Sequence, residues 1–312
     1  MVKYMDFFVF QKAIFLYIFA YLAENAYLCM QNTMISWEMK KYYMLMMAAL
    51  MLSGCRQQPG TPIDSFVETH KNVVAETNEN VEKITNILVQ RMPKGVPDKL
   101  IQRKAYTTSY NHESRTPNWV AWTLTREHTR GSLSRENERF EEDREMKTPR
   151  ATFQDYYSSR FDRGHMCPAG DNKWDEEAMT QTFLMTNICP QNHGLNKEDW
   201  NELEKQCRTW ARRYGAVTIV CGPIFNSDAQ PRFIGRNKVR VPDRFFKVVY
   251  CAEPEPRTLA FIFHNSGKSQ PWRQQLCTVD EVEALTGINF FPALPDNIEN
   301  QIEAESILRD WQ

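Results

Sequence analysis

What this sequence lacks narrows it first. Basic residues hold no majority: Lys and Arg number 38 against 39 Asp and Glu, for a net charge of −1. Bulk charge therefore does not mark a nucleic-acid binder, which usually carries a strong basic excess. Beyond Cys55, the cysteines Cys167, Cys189, Cys207, Cys221, Cys251 and Cys277 contain no C-x-x-C pair. That removes the footing for a structural zinc site or a thioredoxin-like redox module. No internal repeat is visible, so nothing points to a repeat architecture.

The front of the chain is the next feature. Lys40 and Lys41 follow Met39 and precede an apolar run from Tyr42 to Leu52, closed by Leu52-Ser53-Gly54-Cys55. The run is shorter than the roughly 20 apolar residues that span a bilayer, and its layout reads as a secretory signal over 39–54. With Cys55 at its end it resembles a bacterial lipoprotein signal, cut before a cysteine whose thiol then carries lipid. A plain secretory signal with an incidental cysteine stays open. Residues 1–38 read as an extension from a start codon assigned too early, although Phe7 to Leu28 is apolar enough to pass for a membrane segment. The expectation is an exported protein, lipid-anchored through Cys55 to a bacterial membrane, the outer one, on its periplasmic or surface face. Export permits disulfides, and at least one is expected; buried free thiols are the alternative.

Residues 55–98 read as the lipidated cysteine, a polar tether and a peripheral helix over Glu76 to Met92, and residues 99–312 as one domain long enough for a sizeable core. Short β-branched and aromatic runs predict strands at Trp119–Thr125, Ala216–Cys221, Phe245–Cys251 and Leu259–His264. Helices are predicted at Trp174–Thr182, Glu198–Tyr214 and Asp296–Trp311. Strands and helices that interleave without βαβ regularity indicate an α+β fold, a central antiparallel or mixed sheet with flanking helices.

Charge is also local. Arg126, Arg130, Arg135 and Arg139 form one basic stretch, Arg208, Arg212 and Arg213 a second, and Arg232, Arg236, Lys238, Arg240 and Arg244 a third. Most such residues serve solvated faces, but a basic cleft on a neutral body would steer a polyanion. In the helix from Glu198, the residues Trp200, Leu203, Cys207, Trp210, Ala211 and Tyr214 make an apolar arc, and Glu204 lies at its edge. A carboxylate there needs a partner: an arginine in the core, or a cavity with a hydrated cation.

The most informative stretch is Asp162-Arg163-Gly164-His165-Met166, followed by Asn187, Asn196 and Glu204. Phosphodiester hydrolysis needs a base for water, positive charge against the transition state and a proton for the leaving oxygen. A histidine can serve as base near neutral pH, and a bound Mg²⁺ takes oxygen ligands while keeping several waters, so one asparagine oxygen is an adequate protein anchor.

These motifs carry a resemblance. DRGHMCPAGDN (Asp162 to Asn172), TNICPQ (Thr186 to Gln191), Leu195-Asn196 and Trp200 with Leu203-Glu204 resemble the DNA/RNA non-specific endonuclease family, which has a ββα-metal core. The likeness extends from about Tyr106 through Asn118-Trp119-Val120 and Gly222-Pro223 to Thr286–Pro292. It implies His165 as general base, Asn196 as direct Mg²⁺ ligand with Mn²⁺ able to substitute, and Glu204 as holder of metal-bound waters. It implies that Asn187 supports the geometry, that Arg163 contacts the scissile phosphate, and that Arg135 supplies the arginine placed before the histidine motif, with Arg139 a close rival for that place. Asp162 is expected to position the motif. DNA and RNA are the implied substrates, with 5′-phosphate ends. The competing reading is a catalytically inactive, lipid-anchored nucleic-acid-binding protein.

Overall fold

A computed structural model of the protein describes residues 87–226 and 230–311. The signal-like segment, Cys55, the tether and most of the helix expected at Glu76–Met92 lie outside the described residues. Contacts divide the chain into Met1–Asn72 and Val73–Gln312, and the described residues all belong to the second unit. Among them, no helix is long and apolar enough to cross a membrane.

The strands are β1 (Lys99–Gln102), β2 (Thr107–Asn111), β3 (Thr116–Thr125), β4 (Asp162–His165), β5 (Ile188–Gln191), β6 (Ala216–Ile224), β7 (Phe233–Ile234), β8 (Val239–Arg240), β9 (Arg244–Cys251), β10 (Arg257–His264) and β11 (Leu276–Cys277). Seven of them form one sheet in the order β1-β2-β3-β6-β9-β10-β11. Every neighbouring pair in it is antiparallel. β4 pairs with β5, and β7 with β8, outside that sheet. The helices are α1 (Glu176–Gln181), α2 (His193–Lys197), α3 (Asp199–Tyr214), α4 (Val279–Thr286) and α5 (Asp296–Glu303). The fold is α+β with an antiparallel central sheet, as the interleaved pattern predicts.

Both faces of the sheet are covered, which explains why its central strands read as apolar runs more than as alternating ones. On one face, Val120, Trp122, Ile219, Cys221, Phe245, Val249 and Phe261 pack against Trp200, Leu203, Cys207 and Trp210 of α3. On the other, Trp119, Ala121, Val220, Phe246, Val248 and Ala260 meet Val279 and Val282 of α4 and Ile302 of α5. The site described below belongs to the α3 side.

The structure departs from the expectations at three points. The helix predicted over Asp296–Trp311 stops at Glu303, and a separate 3-10 turn follows at Leu308–Trp311. Ile302 is buried on the α4 side, whereas Trp311 packs at 4.9 Å between ring centroids on Trp210 on the α3 side, and one straight helix cannot reach both. Helix α4 was not predicted, although its boundaries are written in the chain: Thr278 and Glu281 form a capping box, and Gly287 closes it at φ 70°. Finally, the expected disulfide is not formed among the described residues. The cysteines among the described residues are free thiols, all but Cys277 buried. They behave as small apolar groups of the core, Cys221 donating weakly to the Met166 carbonyl at 3.3 Å.

Candidate active site

β4 and β5 lie antiparallel with Asp162 opposite Gln191, Gly164 opposite Cys189 and His165 opposite Ile188. Glycine is required at 164: a Cβ there would fall 2.2 Å from Gln191 Oε1 and 2.6 Å from Gln191 Cβ. The chain leaves β5 into α2, capped by Asn192, whose side chain accepts from the Gly194 N–H at 3.0 Å. It then turns at Glu198 into α3. Two strands and the helices that follow thus present Arg163, His165, Asn196 and Glu204 to one cleft of about 390 Å³, which Arg135 and Arg208 also line.

Asp162 organises the Asn196 side of this cleft. Its Oδ2 accepts from Asn196 Nδ2 at 3.0 Å and meets His193 Nδ1 at 2.9 Å. Because a carboxylate only accepts, the asparagine must turn its nitrogen toward Asp162, which leaves Oδ1 for another partner. This network was only partly legible, since neither Asp162 nor His193 had a partner that spacing alone could name.

His165 sits in an aromatic slot. Phe183 meets its ring edge-on at 4.8 Å, and Phe140 lies at 5.2 Å on a tilt. The Arg163 guanidinium rests over Phe140 at 4.9 Å, and that of Arg135 over Phe183 at 5.6 Å. Burial, and then the nearby Arg135 charge, push the imidazole down to about 3, so it is neutral at pH 7. The sequence left Arg135 and Arg139 as rivals; Arg135 is the one that lines the cleft.

Glu204 reaches the cleft from α3, and burial raises its carboxyl to about 7, against the opposing pull of Lys247, Arg208 and Arg135. Lys247 stands behind it, fully enclosed, its ammonium 4.1 Å from the centroid of Trp200. Arg208, one turn beyond Glu204, donates to Asp171 Oδ1 at 2.6 Å, and Asp171 Oδ2 accepts from Trp122 Nε1 at 3.1 Å. The four-residue spacing from Glu204 was the available signal for Arg208. Of the other basic residues, Arg126 faces away from the cleft's work: it donates to the carbonyls of Arg212 and Arg213 at the end of α3.

Asn187 stands apart from the other site residues. It is fully buried and does not line the cleft. Its Nδ2 donates to the carbonyls of Cys167 and Thr182, each at 2.8 Å, and its Oδ1 accepts from the Cys167 N–H at 2.9 Å. It clamps the loop just past His165 and so acts on the site through backbone. A second hollow of about 320 Å³ adjoins the cleft, shares Arg135, Asp162, Arg163 and Asn196 with it, and adds Tyr156, Tyr157 and Phe161.

The family model described as DNA/RNA non-specific endonuclease matches residues 85–297. The chain is 36% identical over 204 residues to a mitochondrial nuclease EXOG of Xenopus laevis, covering 61% of this chain and 57% of that protein. It is 33% identical over 207 residues to mitochondrial endonuclease G of Homo sapiens, covering 62% of this chain and 70% of that one. Among solved structures it is similar to one titled as an EndoG/EndoGI complex, with TM-score 0.61, 28% identity and coverage of 68% of this chain and 93% of the other. The match thus spans less than two thirds of the frog protein. These names correct the expected location: they are those of mitochondrial nucleases, and they run against the expectation of a bacterial outer membrane. The lipid anchor expected at Cys55 finds no support among them.

Proposed function

The chain belongs to the DNA/RNA non-specific endonuclease family, and from that premise we propose that it hydrolyses internal phosphodiester bonds of both DNA and RNA, leaving 5′-phosphate ends. The observation that carries this reading is the pairing of Asn196 Nδ2 with Asp162 beside a neutral His165 in one cleft.

His165 takes the proton from the attacking water, its ring held in orientation by Phe140 and Phe183. Arg163 and Arg135, stacked on those same rings, hold the phosphate and oppose the charge that develops on it. The residues fit a hard divalent cation: the free Oδ1 of Asn196 is an oxygen donor, and Glu204 is a carboxylate whose burial makes a neighbouring positive charge welcome. Asn196 would hold Mg²⁺ directly and Glu204 through water, with Mn²⁺ able to substitute. When bound, the ion supplies positive charge at a phosphoryl oxygen. Contacts that follow backbone phosphates do not encode sequence, which supports action on either polymer. The inactive-binder alternative is disfavoured, since base, amide ligand and carboxylate all meet in the cleft.

The test is digestion of supercoiled plasmid and of RNA with Mg²⁺ and with chelator, using the parent and His165→Ala. The parent should cut both polymers only with metal, and the variant should lose at least roughly 10²-fold in turnover. Unchanged cutting by the variant would remove His165 from the base role, and binding without nicking by the parent would restore the inactive-binder reading.

A further inference from the structure

Three carboxylates converge far from the catalytic residues, on the opposite face of the sheet. Asp280 and Glu283 of α4 and Glu303 of α5 each place an oxygen within 4.8 Å of the others. Acidic clusters on a surface are ordinary, but this one reaches inward. Asp280 is exposed and Glu283 partly covered, whereas Glu303 is only 4% exposed. Its Oε1 is shielded from solvent, and among the described residues no group donates to it. Leaving a carboxylate buried without a donor is unfavourable unless a charge or proton compensates it.

The surroundings deepen the deficit. Glu283 has one oxygen committed to the Phe290 N–H at 2.7 Å, leaving the other available. Glu299 adds a further negative charge close by, and Arg91, the cation that acts there among the described residues, acts on Glu299. Glu303 is the last residue of α5, where the unpaired carbonyls of a helix end favour a cation. Burial and then the repulsion of Glu283, Glu299 and Asp280 raise the Glu303 carboxyl to about 8. The convergence of three carboxylate oxygens on one point, with a buried Glu303 oxygen lacking a donor, is the arrangement that a bound cation compensates.

We propose that Asp280, Glu283 and Glu303 form a second divalent-cation site, of the Ca²⁺ class, that ties α4 to α5 behind the sheet. The spacing fits such an ion. Ca²⁺ takes oxygens at about 2.4 Å, so two of its ligands stand at most about 4.8 Å apart, and its flexible shell of six to eight oxygens accepts three carboxylates plus waters. Mg²⁺ demands a stricter octahedron and fits less well. The two helices pack on β10 and on the Phe246 and Val248 side of the core, so an ion there acts on stability and leaves the cleft alone.

The experiment is thermal unfolding of the full chain in chelator and in a Ca²⁺ titration, with the parent, Glu303→Gln and Asp280→Asn, alongside DNA cleavage in Mg²⁺. At saturating Ca²⁺ the parent should gain roughly 5 °C in Tm. Both variants should lose most of that gain and still cut DNA at the parent rate. Asp280 is exposed, so its variant keeps the test alive if the buried change at Glu303 prevents folding. The same titration on Asn196→Ala separates the two sites: the gain should persist there. No gain in the parent overturns the proposal, as does an equal gain in Asp280→Asn. If instead the parent gains stability as pH falls from 8 to 6 without any response to Ca²⁺, the cluster shares a proton and binds no ion.

Discussion

The Oδ2 of Asp162 accepts from Asn196 Nδ2 at 3.0 Å, across the gap between β4 and α2. The carboxylate thereby decides which end of the amide faces the cleft. Asp162→Ala should free the amide to rotate, weakening metal use by roughly 10- to 100-fold, the usual cost of losing a partner behind a ligand. A Mg²⁺ titration of plasmid nicking should show a raised metal requirement with little loss of folding; an unchanged Mg²⁺ midpoint would disprove the orienting role.

His165 links the site to pH. Burial holds it at about 3 in the folded protein, below the ordinary histidine value of 6.5, so on acidification the unfolded chain takes up a proton that the folded one refuses. Folding stability at this residue is therefore complete above pH 6.5 and falls as pH drops from 6.5 toward 3. Between pH 7.5 and 5 the loss should be about 2 kcal/mol. Urea unfolding at the two pH values should show a smaller acid penalty for His165→Gln than for the parent. Equal penalties would mean the ring is readily protonated in place.

Gly164 touches Gln191 so closely that a methyl group has no room. Gly164→Ala should cost about 1–3 kcal/mol by forcing β4 from β5. Because His165 is the next residue, cleavage should fall more than the loss of folded protein explains. Cleavage rate per folded molecule, with the folded fraction measured by circular dichroism, checks this.

Asp171 is buried, and Arg208 is its charged partner. Removing one side of such a pair leaves the other uncompensated, so Arg208→Ala should lose about 3–5 kcal/mol. Asp171→Asn in the same chain should recover much of it, since the amide still accepts from Trp122 and carries no charge. A double-mutant cycle by chemical denaturation measures the recovery; strict additivity of the two losses would mean that the residues are not coupled.

The central strands, α3 and the DRGH segment were legible because local rules govern them. Four apolar runs became β3, β6, β9 and β10, and the apolar arc of α3 placed Glu204 at its edge before any contact was known. Short elements were less legible. β4 and β5 are four residues each, too short for a period to emerge, and their pairing spans distant segments. The end of α5 escaped for a similar reason: helical spacing says nothing about Trp311 crossing to Trp210 on the far side of the sheet.

The sequence by itself determined the fold class, the family and the residue types needed for the chemistry, because burial patterns and motif spacing are properties of neighbouring residues. Tertiary structure alone decided that Arg135 and not Arg139 reaches the cleft, that Asn187 works from the core, that Asp162 turns the Asn196 amide, and that three acids meet behind the sheet. Each of these depends on a distance between residues far apart in the chain or on the direction of one side chain, and a linear order contains neither.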